Sequence, residues 1–185
     1  VIKRKQILLL IVLLLLFPNS CLRRGEKPVS CPGEALTSRE LDVKPIYQTA
    51  LACGPASAAM VLNYHGIEVS LEKATGALYT DSLHGTLITD MRAYVSRFIR
   101  SVHVERSTIC RVVSSINRGN PVILYLDYGK ANISRPHYIV AVGYDLRKQV
   151  LVFHDGYSKF SKGLFSLIGE KWKKTGNLAL YIHAR

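Results

Sequence analysis

No stretch of this sequence is apolar for long enough to cross a bilayer comfortably. The longest run, Ile7 to Phe17, contains only Leu, Ile, Val and Phe, and a span needs roughly 20 residues. Acidic residues are scarce, with 13 Asp and Glu against 25 Lys and Arg. Cysteine occurs four times, at positions 21, 31, 53 and 110. No pair of them has the spacing of zinc ligands, which argues against a structural metal. There is no internal repeat and no low-complexity tract beyond the leucine run, which argues against solenoid and disordered classes. No nucleic-acid-binding signature accompanies the basic charge, so nucleic acid is not expected as a partner.

What is present begins at the N-terminus. Lys3, Arg4 and Lys5 precede the short apolar run. A basic start followed by a short apolar stretch is the pattern of an export signal, expected over residues 1–21. Its lack of a polar face makes it a poor surface helix. Pro18-Asn19-Ser20-Cys21 resembles a lipoprotein cleavage site with Cys21 as the acylated residue. A lipid anchor, a cleaved secretory signal and an uncleaved anchor stay open, in that order. The expected location is therefore the cell envelope, membrane-anchored or periplasmic. The net charge is +12, and three of these charges lie within the first 21 residues, leaving +9 from Leu22 onward. That excess reads as a solvated basic face near anionic headgroups.

Residues 22–44 are polar, with Pro28, Pro32 and Gly33, and are expected to be a linker. A single domain is expected over 45–185. Cys53-Gly54-Pro55 opens a helix expected to reach about His65, with Gly66 as its stop. Ser70 caps a second helix. Thr86 to Ile99 reads as a third, with Leu87, Met91, Tyr94, Val95 and Phe98 on one stripe. Ser107 is expected to cap a fourth, ending near Asn117. Beyond it, Pro121–Tyr128, Tyr138–Tyr144, Gln149–His154 and Leu178–His183 are short runs rich in β-branched and aromatic residues, expected as strands. Helices first and sheet second is an α+β arrangement, a helical N-terminal part packed on an antiparallel C-terminal sheet.

Four residues carry chemistry. Cys53 at a helix start sits where the dipole and free N–H groups favour a thiolate, so its pKa is expected to fall. Gln48, five residues earlier, could donate its amide to an oxyanion, with the Cys53 N–H as second donor. His137 enters the most apolar strand and is a candidate base. Asp155 lies on the next strand. If the two strands form a hairpin turning near Arg147, Asp155 falls diagonally from His137 on the same face and could orient the imidazole. A slip of one residue would put them on opposite faces. Asp145 is a weaker rival. Alone, Gln48 and His137 are better explained as a polar loop residue and a core histidine, Asp155 as a turn residue capping the strand end is the alternative, and Cys53 is evenly balanced with a small buried hydrophobe. Their order along the chain is the specific signal. His65, His84 and His103 have no ligand spacing, Trp172 reads as a core anchor, and Tyr125 and Tyr128 as packing residues.

Gln48-Thr49-Ala50-Leu51-Ala52-Cys53-Gly54-Pro55-Ala56 and Met60-Val61-Leu62-Asn63-Tyr64-His65-Gly66 resemble the bacteriocin-processing, double-glycine leader peptidases. The resemblance continues through Gly85-Thr86, Asp90-Met91, His137-Tyr138-Ile139-Val140, Gly143-Tyr144, His154-Asp155-Gly156 and Trp172. It implies a papain-like cysteine peptidase fold without a cofactor, a triad of Cys53, His137 and Asp155, and Gln48 completing the oxyanion hole. The best-known relatives are fused to an ABC transporter. No fused transporter is expected here, and the chain is more similar to stand-alone, exported members acting on a peptide or protein substrate. A catalytically idle domain binding a peptide or partner, and acyl transfer to an amine, are the competing functions. If Cys21 is lipidated and Cys53 is catalytic, Cys31 and Cys110 are left as the disulfide pair, which export would permit.

Overall fold

The computed structural model describes residues 27–48, 51–158 and 161–184. The expected signal segment, residues 1–21 with Cys21, lies outside them. Among the described residues, no helix is long and apolar enough to cross a membrane.

Among the described residues, seven strands form one sheet: β1 (Ser38–Glu40), β2 (Ser101–Arg106), β3 (Val122–Asp127), β4 (Pro136–Asp145), β5 (Val150–His154), β6 (Ser161–Leu164) and β7 (Leu178–His183). Their order is β2-β7-β3-β4-β5-β6, with β1 paired to β4, and every pairing is antiparallel. β3 pairs with the first part of β4, from Pro136 to Ala141. β1 pairs with its last part, Gly143 to Asp145, while β5 holds the other edge. β1 therefore continues the line of β3. As the near-continuous apolar run of β4 implied, Tyr138 to Tyr144 are all buried.

Among the described residues there are five α-helices: α1 (Cys53–Tyr64), α2 (Leu71–Leu78), α3 (Ile88–Val95), α4 (Ile109–Asn117) and α5 (Phe165–Lys173). α1 packs on β4 and on α2 and α3. It has no polar face, and Gly54 to Leu62 are all buried. It ends at Gly66, whose φ of +79° only glycine adopts freely. The expected Ser70 cap is present, its hydroxyl accepting from the Lys73 N–H at 3.1 Å.

Several elements differ from expectation, each for a local reason. The third helix is shorter than Thr86–Ile99. Thr86 is held outside it, its hydroxyl donating to Leu78 O at 3.0 Å and its carbonyl accepting from the Tyr138 hydroxyl at 2.9 Å. Met91, Tyr94 and Val95 are buried as expected, but Leu87 and Phe98 fall beyond the helical repeat and are exposed. The cap of α4 is Thr108, which accepts from the Arg111 N–H. Ser107 instead lies buried, hydrogen-bonded to the Tyr181 hydroxyl at 2.5 Å.

The segment expected as a linker is part of the folded body over its described residues. Ser38–Glu40 forms β1, and Leu41 and Val43 are buried. Gln149 donates through Nε2 to Val29 O at 3.0 Å. Cys31 is disulfide-bonded to Cys110 of α4, closing a separation of 79 residues. The approach of β1 also explains Gly143, where a Cβ would meet Arg39 O at 2.7 Å and the Glu40 Cα at 3.0 Å.

A disulfide across so long a loop restricts the unfolded chain. The double variant Cys31→Ser/Cys110→Ser is expected to lose about 2–4 kcal/mol of stability. Urea unfolding of variant and parent, compared at equal m-value, measures it.

Candidate functional site

The site is assembled where the N-terminus of α1 meets the beginning of β4 and the end of β5. Cys53 is the first residue of α1 and the only free cysteine among the described residues. The Ala52 cap supplies no side-chain acceptor. Pro55 has no N–H, and the Ala56 N–H is already spent on Ala52 O at 2.9 Å. The donors left at this helix end are the Cys53 and Gly54 N–H groups. These two N–H groups, and that of Tyr138 on β4 next to His137, act to lower the Cys53 thiol pKa. Gly54 is sterically required, since a Cβ there would lie 2.6 Å from the Thr86 Cβ. Two residues before the thiol, half-exposed Leu51 has a left-handed φ of +69°, a local strain beside the site.

His137 and Asp155 are brought together by an irregularity in the hairpin. From Asp145↔Val150 to Gly143↔Val152, β4 and β5 run in one register. From Ala141↔Phe153 to Val140↔His154 they run in another, with Val142 as the extra residue. Carried past its last pair, the second register sets Ile139 opposite Asp155 and His137 opposite residue 157. Asp155 is then diagonal to His137 on the same face, the arrangement that the conditional hairpin argument required. The first register would have set Asp155 opposite Val140, on the other face. Tyr157 does stack on His137, with ring centroids 5.7 Å apart and planes 15° apart.

The hydrogen bond between the two residues is not the expected one. His137 Nε2 donates to the main-chain carbonyl of Asp155 at 3.1 Å. The Asp155 carboxylate is held elsewhere. Its Oδ1 accepts from the N–H groups of Tyr157 and Ser158 at 2.8 and 2.9 Å, and its Oδ2 accepts from the Ser161 hydroxyl at 2.9 Å. A carbonyl can only accept, so Nε2 carries the proton and the neutral ring leaves Nδ1 as a free base. The correction is one of atoms: the Asp155 backbone, not its carboxylate, bonds the imidazole.

Gln48 meets the same carbonyl. Its Nε2 donates to Asp155 O at 2.8 Å, and its own N–H donates to Gly156 O at 2.9 Å. Gly156 makes this possible twice over. Its φ is +79°, and a Cβ would strike Gln48 Nε2 at 2.7 Å. One N–H of the Gln48 amide is thus engaged and one is left to donate. Asp145, the rival carboxylate, lies at the hairpin turn, accepting from the Lys148 N–H at 3.0 Å.

The electrostatics of the resting site also differ from expectation. Burial pushes the Cys53 thiol pKa up, and the three N–H groups offset this only in part. Burial likewise pushes His137 down, against the opposing pull of the Asp155 carbonyl and charge. Thiol and imidazole are both neutral in this state, so the thiol is not pre-ionised. Burial raises Asp155 too, but the donors Ser158, Tyr157 and Ser161 and the nearby His137 outweigh it and hold its carboxyl below the usual range. The ring of Tyr128 meets His137 edge-on at 5.8 Å, and Tyr125 stacks on Tyr138 at 4.7 Å. Of these aromatics, Tyr157 gave no sequence signal beyond following Asp155-Gly156. No group of three or more His, Cys, Asp or Glu among the described residues could hold a metal ion. Trp172 is the core anchor expected, buried, with Nε1 donating to Leu178 O at 2.8 Å.

Two outcomes follow. Alkylation of Cys53 by iodoacetamide in the unliganded protein should rise with pH only above the ordinary thiol range, because only the thiolate reacts; peptide mapping reads it. Gly156→Ala should cost at least about 1 kcal/mol, from a left-handed alanine and the clash with Gln48, as measured by denaturant unfolding.

Three solved structures share the fold. A C39-like peptidase from Bacillus anthracis has a TM-score of 0.64 and 17% identity, with 80% of this chain and 98% of that chain covered. The peptidase domain of Streptococcus ComA, a bifunctional ABC transporter of a quorum-sensing pathway, has a TM-score of 0.61 and 18% identity, covering 77% and 99%. A double-glycine-motif protease from an AMS/PCAT transporter, in complex with its leader peptide, has a TM-score of 0.54 and 21% identity, covering 78% and 94%. No curated protein sequence matches the chain. The α+β architecture is thus that of the papain-like C39 peptidases. The sequence itself matches the Peptidase_C39 like family over residues 40–180, most of the described chain, and by that match this protein belongs to the Peptidase_C39 like family.

Proposed function

We propose that this protein is a cysteine peptidase that hydrolyses peptide bonds through a thiol acyl-enzyme, outside the cytoplasm. The observation that carries the proposal is the His137 tautomer. Its Nε2–H is committed to Asp155 O, leaving Nδ1 unprotonated on the strand against which the helix of Cys53 packs.

In the proposed reaction, His137 Nδ1 takes the thiol proton as the sulfur attacks the scissile carbonyl carbon. Because the resting thiol is neutral, proton transfer accompanies attack. The Cys53 N–H and the second N–H of Gln48 stabilise the oxyanion. The imidazolium returns its proton to the leaving amine, and a thioester remains. Water, deprotonated by the same Nδ1, attacks the thioester and restores the thiol. The negative Asp155, held ionised by its three donors, stabilises the imidazolium between these steps. No cofactor enters the scheme. Transfer of the acyl group to an amine uses the same machinery.

A peptide substrate is supported by the family and by the leader peptide in the complex of the third structural neighbour. Export is supported by the Cys31–Cys110 disulfide, a bond that persists in oxidising compartments, and by the basic-then-apolar segment at residues 3–17. A signal over residues 1–21, with Cys21 as lipid attachment point, belongs to the same proposal. Burial of Cys53, which pushes its thiol pKa up, favours an idle peptide-binding domain instead.

The test is turnover of a peptide library by the purified full chain. Cys53→Ala and His137→Ala are each expected to lower kcat by about 10³-fold or more, and Gln48→Ala by about 10²-fold. Equal turnover in Cys53→Ala and parent would discard the proposal. Peptide binding without turnover in the parent would establish the idle domain. The acid limb of kcat/KM should fall below the ordinary histidine range. The base must be neutral to act, and burial keeps His137 neutral to lower pH.

A further inference from the structure

We infer that Tyr157 is a positioning residue for His137, and that its ring, rather than the Asp155 carboxylate, sets the plane of the imidazole. The inference rests on the proposed role of His137 as base.

A catalytic imidazole needs two constraints, one on its tautomer and one on its rotation. A carboxylate on the far nitrogen can supply both. Here both oxygens of the Asp155 carboxylate are occupied by Tyr157, Ser158 and Ser161. What the ring has instead is one 3.1 Å bond to a main-chain carbonyl. That carbonyl also accepts the shorter, 2.8 Å bond from Gln48. A single bond to a shared acceptor fixes the tautomer but leaves the ring free to swing about it. Two aromatic rings also meet it. Tyr157 lies nearly parallel to the imidazole, 15° between planes and 5.7 Å between centroids. Tyr128 closes the other direction edge-on, at 75° and 5.8 Å.

Tyr157 is not there for the core. It is 64% exposed, and among the described residues its ring stacks on His137 alone. Its backbone is nevertheless fixed, because its N–H donates to Asp155 Oδ1 at 2.8 Å. The Asp155 carboxylate thus acts on the imidazole at one remove: it holds the Asp155–Ser158 turn, and the turn presents the phenol ring. The phenol ring also occupies space beside the imidazole that water would otherwise fill.

The experiment uses the full chain with Tyr157→Phe and Tyr157→Ala. Both side chains are solvent-facing, so folding should survive, and thermal unfolding checks it. Tyr157→Phe keeps the ring and should retain kcat within about twofold. Tyr157→Ala should lose on the order of 10- to 100-fold in kcat, with KM changed by less than about twofold. Independently of turnover, NMR titration of the His137 ring, assigned by its loss in His137→Ala, should show its pKa rising toward the ordinary value in Tyr157→Ala and unchanged in Tyr157→Phe. The direction follows from cover: burial depresses this imidazole, and removing the phenol readmits water. An unchanged titration in Tyr157→Ala overturns the inference. So does an equal loss in both variants, which would implicate the hydroxyl, or a change confined to KM, which would make Tyr157 a substrate wall. If the parent shows no turnover, the peptidase proposal fails by itself, and the titration alone decides whether Tyr157 holds the ring.

Discussion

The register between β4 and β5 decides which side chains meet at the site, and a single extra residue sets it. Val142 stands unpaired between two registers. Its carbonyl accepts from the Leu41 N–H at 2.8 Å, so the bulge is anchored by the chain arriving from β1. Gly143, beside it, lets β1 approach closer than any Cβ would allow. The segment before the helical part thus contacts the strand at its bulge, at the far end from His137. A bulge of this kind re-aims a strand beside a functional site. Here it moves Asp155 onto the face of His137.

At the site itself, main-chain groups do much of what side chains were expected to do. The Asp155 carbonyl gathers Gln48 and His137. The N–H groups of Cys53, Gly54 and Tyr138 favour the thiolate. Asp155 spends its carboxylate in closing its own turn, a usual role for aspartate in such loops. Gly156 supplies the left-handed turn and the space that Gln48 fills. Backbone groups move little, so an arrangement built from them is preorganised. The resting thiol remains neutral because burial outweighs its three donors.

Legibility followed burial. β3, β4, β5 and β7 were visible because both faces are buried and the sequence runs apolar almost without interruption. β1, Ser38-Arg39-Glu40, carries no apolar alternation. It is a strand because β4 offers it a free edge. β6, Ser161–Leu164, also pairs at an edge, with a polar and glycine-containing sequence. β2 alternates only weakly, with Val102 buried and Val104 half-buried among polar and charged residues, and it was not read from the sequence. α5 was seen only as its anchor Trp172. α3 was read too long because its periodicity runs on through Phe98, whereas the hydrogen bonds of Thr86 and the turn after Val95 cut it short.

The amino-acid sequence by itself determined the helix opening at Cys53, its glycine stop, the buried central strands, and the order of Gln48, Cys53, His137 and Asp155. These depend on local propensity and on patterns of burial, and both are written in neighbouring residues. Only the tertiary structure decided the bulge at Val142, the shared Asp155 carbonyl, the place of Tyr157 on the imidazole and the direction of the thiol pKa. Each depends on what lies across the sheet or on how much water is excluded. The physical reason is that register, hydrogen-bond choice and desolvation are set between segments distant in sequence.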